Sequence, residues 1–175
     1  MIVLSANEFL LQSFENCPGD HPMKFFVTVN NTVGFNNDAH FAGYLEVTRV
    51  VNGPLELLVE LNRCDTAMKS CDKLPSQKIS RMCHKLNDKK AFYYGFLSTV
   101  QPSLECPFQP KSYVAAKSTV DLTNISFLPL TGYVWIATFK MMSGEGKSSE
   151  MVYCGTAEMK IVRARGKKRK EQSRP

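Results

Sequence analysis

The sequence is short of the residues and runs that many functional classes need. It has one tryptophan and three histidines in 175 residues. No stretch approaches the roughly 20 apolar residues of a membrane-spanning helix. Neither Gly-x-Ser-x-Gly nor His-Glu-x-x-His occurs, which removes the nucleophile elbow and the zinc-protease helix from consideration. His84 directly follows Cys83, and neighbours on a helix point about 100° apart, so the two make a poor nucleophile–base pair. No internal repeat is evident. Excess positive charge is confined to one place: the net charge is +6, yet Arg163, Arg165, Lys167, Lys168, Arg169, Lys170 and Arg174 all fall in the last stretch, against the single acid Glu171. The rest of the chain has no basic bias and no basic motif of a nucleic-acid module. No enzyme, cofactor or nucleic-acid partner is expected.

What is present reads as a folded domain. Hydrophobic residues make up 43% and charged residues 22%, ordinary globular usage that argues against wholesale disorder. The length suits one domain, taken as residues 1–162 with a basic tail at 163–175. Six cysteines, at 17, 64, 71, 83, 106 and 154, allow 15 pairings that spacing alone does not decide. An even set of this kind is read as a disulfide framework, hence an extracellular, secreted protein. The opening Met1-Ile-Val-Leu-Ser has no basic region or long apolar core, so no leader is visible in it. Asn30 and Asn124 stand in glycosylation triplets, Asn30-Asn31-Thr32 and Asn124-Ile125-Ser126.

Most of the chain has the period of a β-strand. Leu55, Leu57, Val59 and Leu61 alternate with Glu56, Leu58, Glu60 and Asn62, which predicts a strand with one buried face. Other strands are predicted at 24–30, 41–51, 113–122, 132–142 and 150–162, six or seven in all and antiparallel. Asn52-Gly53-Pro54 and Ser143-Gly144-Glu145-Gly146-Lys147 read as hairpin connections. A helical insertion is expected over about 76–100: Ser76 is a candidate N-cap, and Ile79, Met82, Cys83 and Leu86 follow at helical spacing. Phe92, Tyr93, Phe96, Leu97 and Val100 make a second such set, ended by Pro102.

Two motifs dissolve on inspection. Gly146-Lys147-Ser148 matches the end of a P-loop, but Met141 stands where its first glycine belongs and the loop joins two strands rather than opening a helix. Cys64 and Cys71 are too far apart for a zinc knuckle, as are Cys83 and Cys106, so no metal site is expected. The aromatic residues are more suggestive. Tyr133, Trp135 and Phe139 lie on one strand with large apolar groups on both faces, near Phe92, Tyr93, Phe96, Phe108 and Phe127 in the sequence. That pattern fits either tight packing against the helices or an apolar pocket between sheets.

Four phrases together carry a resemblance: Arg63-Cys64-Asp65 with Lys69-Ser70-Cys71, Met82-Cys83-His84-Lys85-Leu86, Pro102-Ser103-Leu104-Glu105-Cys106-Pro107, and Leu128-Pro129-Leu130-Thr131-Gly132-Tyr133-Val134-Trp135. In this order and spacing the chain, over about 10–162, resembles the ML-domain lipid-recognition superfamily, near its ganglioside-activator-like and insect chemosensory-B-like secreted members. The resemblance implies an all-β fold, an immunoglobulin-like two-sheet β-sandwich or β-cup, and non-enzymatic carriage or presentation of a lipid or small hydrophobic ligand. It also implies the pairs Cys17–Cys154, Cys64–Cys71 and Cys83–Cys106. The fourth disulfide usual in ganglioside-activator relatives has no cysteines here. Phe92, Tyr93, Phe96, Phe127, Trp135 and Phe139 are the candidate ligand-binding residues. The alternative from another class is an immunoglobulin-like interaction module with a filled core, acting through its surface or a receptor.

Lys167, Lys168, Arg169 and Lys170 are read as part of a disordered tail with weak attraction to anionic membrane surfaces. Each cation near such a surface contributes up to about 1 kcal/mol and is screened over about 8 Å at physiological salt. Co-sedimentation with anionic vesicles at low salt should fall when residues 163–175 are deleted, and the difference should vanish at high salt. Equal binding by both forms at low salt would reject this role.

Overall fold

Leu55, Leu57 and Val59 face the interior of the domain, while Glu56 and Glu60 on the alternate positions carry the ion pairs of the outer face. The strand they form is the backbone of the larger of two sheets. The computed structural model describes residues 7–28, 38–91, 93–121 and 131–163. Its elements run β1 (Asn7–Asn16), β2 (Met23–Thr28), β3 (Asp38–Val47), β4 (Leu55–Cys64), β5 (Cys71–Lys73), β6 (Gln77–Ile79), α1 (Met82–Lys85), α2 (Tyr94–Leu97), β7 (Val100–Gln101), β8 (Lys111–Asp121), β9 (Val134–Ser143) and β10 (Glu150–Arg163). The larger sheet has the order β1-β10-β9-β4-β5, with β6 also pairing with β4; the smaller is β2-β3-β8-β7. Every pairing between these strands is antiparallel. The fold is an all-β sandwich stapled by disulfides.

The cysteines pair as Cys17–Cys154, Cys64–Cys71 and Cys83–Cys106, leaving none free. These are the three pairs that the resemblance implies. Their sequence separations are 137, 7 and 23 residues. On the chain-entropy model such loops correspond to about 5, about 2.4 and about 3.4 kcal/mol. Cys17–Cys154 therefore carries the largest share, pinning the connection that leaves β1 onto β10, where the Cys17 amide also donates to the Cys154 carbonyl at 3.0 Å. Disulfides of this kind persist in oxidising compartments. Among the described residues no helix is long and apolar enough to cross a membrane.

Two local expectations need correction. The helix starting at Ser76 is confined to Met82–Lys85. Gln77–Ile79 instead extends along β4, where Lys78 pairs with Glu56 at 2.9 Å. The open edge of β4 offers those residues backbone partners, and Arg81 then takes a left-handed conformation, φ 58°, that stops a helix from running through it. The Asn52-Gly53-Pro54 turn is likewise no hairpin: β3 and β4 belong to different sheets. Val51, 1% exposed, exchanges two backbone hydrogen bonds with Phe108 at 3.0 Å each, which carries the chain across the end of the sandwich. The Ser143–Lys147 loop does join the antiparallel neighbours β9 and β10. The tail cations and the Asn30 and Asn124 triplets lie outside the described residues.

One end of the sandwich is closed by a dense core. Met23, Val47, Val51, Leu55, Phe108, Tyr113 and Val152 are each at most 3% exposed. The Tyr113 hydroxyl is satisfied there by Gln109, accepting from its amide at 3.1 Å and donating to its carbonyl at 3.3 Å.

On the outer face of the larger sheet Glu60 accepts from Lys140 at 2.6 Å and pairs with Lys73 at 3.4 Å. The Lys140 hydrogen bond holds the Glu60 carboxyl below its usual range, against the opposing effect of partial burial. A depressed folded-state value stabilises the fold above the unfolded value of about 4.5, and that stability is lost as pH falls through the folded value. Glu60→Gln should therefore cost about 1 kcal/mol or less at pH 7, and thermal melts at pH 3 should bring variant and parent together. A gap that widens in acid would contradict the assignment.

Candidate ligand-binding site

Beyond the closed end, the inward faces of both sheets change character. On the larger sheet the inward row Val59–Phe139–Gly155 is followed by Leu61–Ala137–Ala157. On the smaller sheet Gly43 pairs with Ala115. Small residues thus occupy the middle of both sheets, and they are covered: Ala115, Ala137 and Ala157 are at most 5% exposed, the Cβ position of Gly43 is taken by the Phe26 carbonyl, and that of Gly155 by Tyr153 and Phe14.

Aromatic rings wall this region. Phe14 of β1 meets Phe25 of β2 edge-on at 5.5 Å, and Phe25 meets Phe96 of α2 edge-on at 5.2 Å. Asn16 fixes the first of these contacts: its side-chain amide donates to the Phe25 carbonyl and accepts from the Phe25 amide, both at 2.9 Å. It thereby substitutes for a strand partner and stitches the edge of one sheet to the edge of the other. Phe139, Phe96, Val59, Leu45 and Tyr153 pack against the closed-end core from above. Phe14, Phe25, Phe96, Phe139 and Tyr153 are only half-buried, although their contacts place them between the sheets. Below them lies the closed end; beyond them on the larger sheet Trp135 and Ile161 are again buried, at 3% and 4% exposure. A band of half-buried rings thus lies between two buried ends.

The candidate residues separate under this geometry. Phe96 and Phe139 are brought together in the aromatic band. Tyr93 belongs to the closed-end core, where its hydroxyl donates to the Lys85 carbonyl at 3.4 Å. Trp135 shares the inward alternation of Phe139 but sits four residues along β9, about 13 Å away at strand rise. There it forms a separate cluster with Ile161, Leu61, Leu74, Tyr133 and Met159. Arg63 stacks over Tyr133 at 4.8 Å and is held by Asp72 at 2.9 Å, marking the polar rim of that end. Phe92 and Phe127 lie outside the described residues.

Sequence reasoning missed Phe14, Phe25, Tyr153 and Gly155. The signal for Tyr153 is masked by a β-bulge between Met151 and Tyr153, which places the consecutive Val152 and Tyr153 both against the core and defeats a period-two reading. The same holds for β1, where a bulge between Leu11 and Ser13 breaks the alternation. Among the described residues no group of three or more His, Cys, Asp and Glu side chains could hold a metal ion.

Gly155 has a steric role in the band. A Cβ there would lie 2.8 Å from Phe14 Cζ and 3.0 Å from Tyr153 Cζ, and would collide with the Tyr153 hydroxyl. Gly155→Ala should destabilise the domain by roughly 1–3 kcal/mol through overpacking, with an altered near-ultraviolet aromatic circular dichroism spectrum. An unchanged denaturation midpoint would show that the rings move aside freely.

No family model matches this chain, and no curated protein matches it either.

Proposed function

We propose that this protein is a secreted, non-enzymatic carrier or presenter of a lipid or other small hydrophobic ligand, held between its two sheets in the manner of an ML-domain β-cup. The observation that carries the reading is the half-buried band of Phe14, Phe25, Phe96, Phe139 and Tyr153 over the small residues Ala137, Gly155 and Ala157. A ligand lying between the sheets would cover the remaining apolar surface of these half-buried rings and remove it from water. Sheathing an acyl chain of about 300 Å² at about 25 cal/mol per Å² gives roughly 7 kcal/mol before ordering costs. That supports binding in the micromolar range or weaker. The three disulfides suit an extracellular carrier, and the order of the cysteine phrases agrees with the resemblance.

A second reading has one observation in its favour. On the outer face of the smaller sheet Phe26 stacks on Tyr44 at 4.8 Å, and Tyr44 pairs with Val114. The three are 38%, 43% and 50% exposed, an apolar row suited to protein recognition by an immunoglobulin-like module.

Titration with long-chain alcohols, fatty acids and phospholipids separates the two. The carrier should show a changed Trp135 fluorescence and a raised melting temperature, since Trp135 borders the band. Phe139→Asp should weaken binding at least tenfold by placing a carboxylate on the apolar wall, while non-reducing peptide mapping still finds the three disulfides. If no lipid changes either signal in the parent protein, the carrier reading fails and the surface reading takes its place.

A further inference from the structure

The enclosed hydroxyl of Tyr153 is the odd feature of the apolar band. Its ring runs along β10 over Gly155, so the hydroxyl points toward the middle of the inner face, beside Phe14. Tyr113 and Tyr93 each satisfy their hydroxyls with a backbone carbonyl. Among the described residues the Tyr153 hydroxyl has no hydrogen-bond partner, although enclosed polar groups are nearly always paired. Burial alone drives its pKa well above the ordinary tyrosine value, so it stays neutral throughout the physiological range. The residue as a whole is half-buried.

The chemistry around this hydroxyl limits what it can meet. The inward positions of the neighbouring strands carry Met23, Phe25, Leu45, Val59, Phe139 and Met141, without a charge among them. Glu60 and Lys140 are engaged with each other on the outer face, and Arg63 is held by Asp72 at the far rim. A carboxylate or phosphate drawn down to Tyr153 would be desolvated with no cation to meet it. An uncharged hydroxyl or carbonyl oxygen meets no such penalty, and a phenol can donate to it or accept from it.

We propose that the Tyr153 hydroxyl is the polar anchor of the inter-sheet site, and that the ligand is a neutral lipid with a hydroxyl or carbonyl oxygen rather than a free fatty acid or a phospholipid held by its headgroup. This inference rests on the carrier reading above and specifies its ligand class.

The test uses three probes of one chain length, dodecane, dodecanol and dodecanoate, with the full chain and its Tyr153→Phe variant. Dodecanol should bind the parent about tenfold more tightly than dodecane, the worth of one hydrogen bond to an otherwise unpaired group. Dodecanoate should bind no better than dodecane. Tyr153→Phe should lose the preference for dodecanol over dodecane and melt at or above the parent temperature, because it removes an unpaired hydroxyl. In the parent protein the ¹³Cζ resonance of Tyr153 should shift with dodecanol and not with dodecane. Equal binding of dodecane and dodecanol by the parent, tightest binding of dodecanoate, or an undiminished alcohol preference in Tyr153→Phe would each overturn the anchor and leave the carrier reading standing. Failure of all three probes to bind the parent would overturn both.

Discussion

Two seams along the long edges of the sandwich hold the sheets in the relation on which the interior depends. At one edge Asn16 closes a pair of hydrogen bonds with the Phe25 backbone, and Cys17–Cys154 fixes the chain that leaves β1. At the other edge Cys83 of α1 is joined to Cys106, in the connection between β7 and β8. Sheets packed through interdigitating side chains need no such seams, because core contacts set their spacing. Here Ala137, Gly155 and Ala157 line one sheet and Ala115 lies in the other, so small covered residues stand at the middle of both. Covalent and backbone-directed links at the edges add to what side-chain packing supplies. The closed end, with Val51 and Phe108 bonded across it, acts as a hinge-free base for the two walls.

That arrangement has an energetic consequence. Half-buried rings such as Phe25 and Phe139 contribute less burial free energy than fully packed ones, and Tyr153 adds an unpaired polar group that costs about 1–3 kcal/mol. Net stabilities of domains are only about 5–15 kcal/mol, so such deficits are significant. The long loop closed by Cys17–Cys154 offsets them by restricting the unfolded chain, about 5 kcal/mol on the entropy model. A ligand binding only the folded form would add to stability in proportion to the logarithm of its concentration over its Kd. The disulfides act on this deficit through the unfolded state, and a ligand would act on it through the folded one.

The legibility of the fold in the sequence follows from local geometry. β4 is plain because Leu55, Leu57 and Val59 alternate without interruption beside Glu56 and Glu60, and its neighbours β9 and β10 need no special turn beyond the glycine-rich loop. β1 escapes because its bulge shifts the inward set from Leu11 to Phe14, so no single period spans NEFLLQSFEN. The stretch around Ile79 misleads for another reason: Ile79, Met82 and Leu86 are all inward or partly inward, but they reach the core from a strand, a one-turn helix and its exit. Helical spacing of apolar residues reports that they share a core, not that they share a helix. Phe96 and Phe139 were accessible to composition and periodicity, whereas Trp135 carries the same inward signal and still belongs to a separate cluster. Alternation gives the face of a sheet but not the height along it.

Height along the sheet is also what sorts the polar groups. Outer positions of β4 and β9 carry Glu56, Glu60 and Lys140, each engaged in exposed or half-exposed ion pairs that contribute little individually. Inward positions stay uncharged until Arg63, at the end of β4 and beside Tyr133. Between the closed end and that arginine, Tyr153 supplies an isolated hydroxyl among rings and aliphatic side chains. A filled core would be more stable with phenylalanine there, since the hydroxyl has nothing to bond among the described residues. Packing alone gives no account of it, and an uncharged oxygen on a bound apolar molecule would be a partner that its surroundings admit.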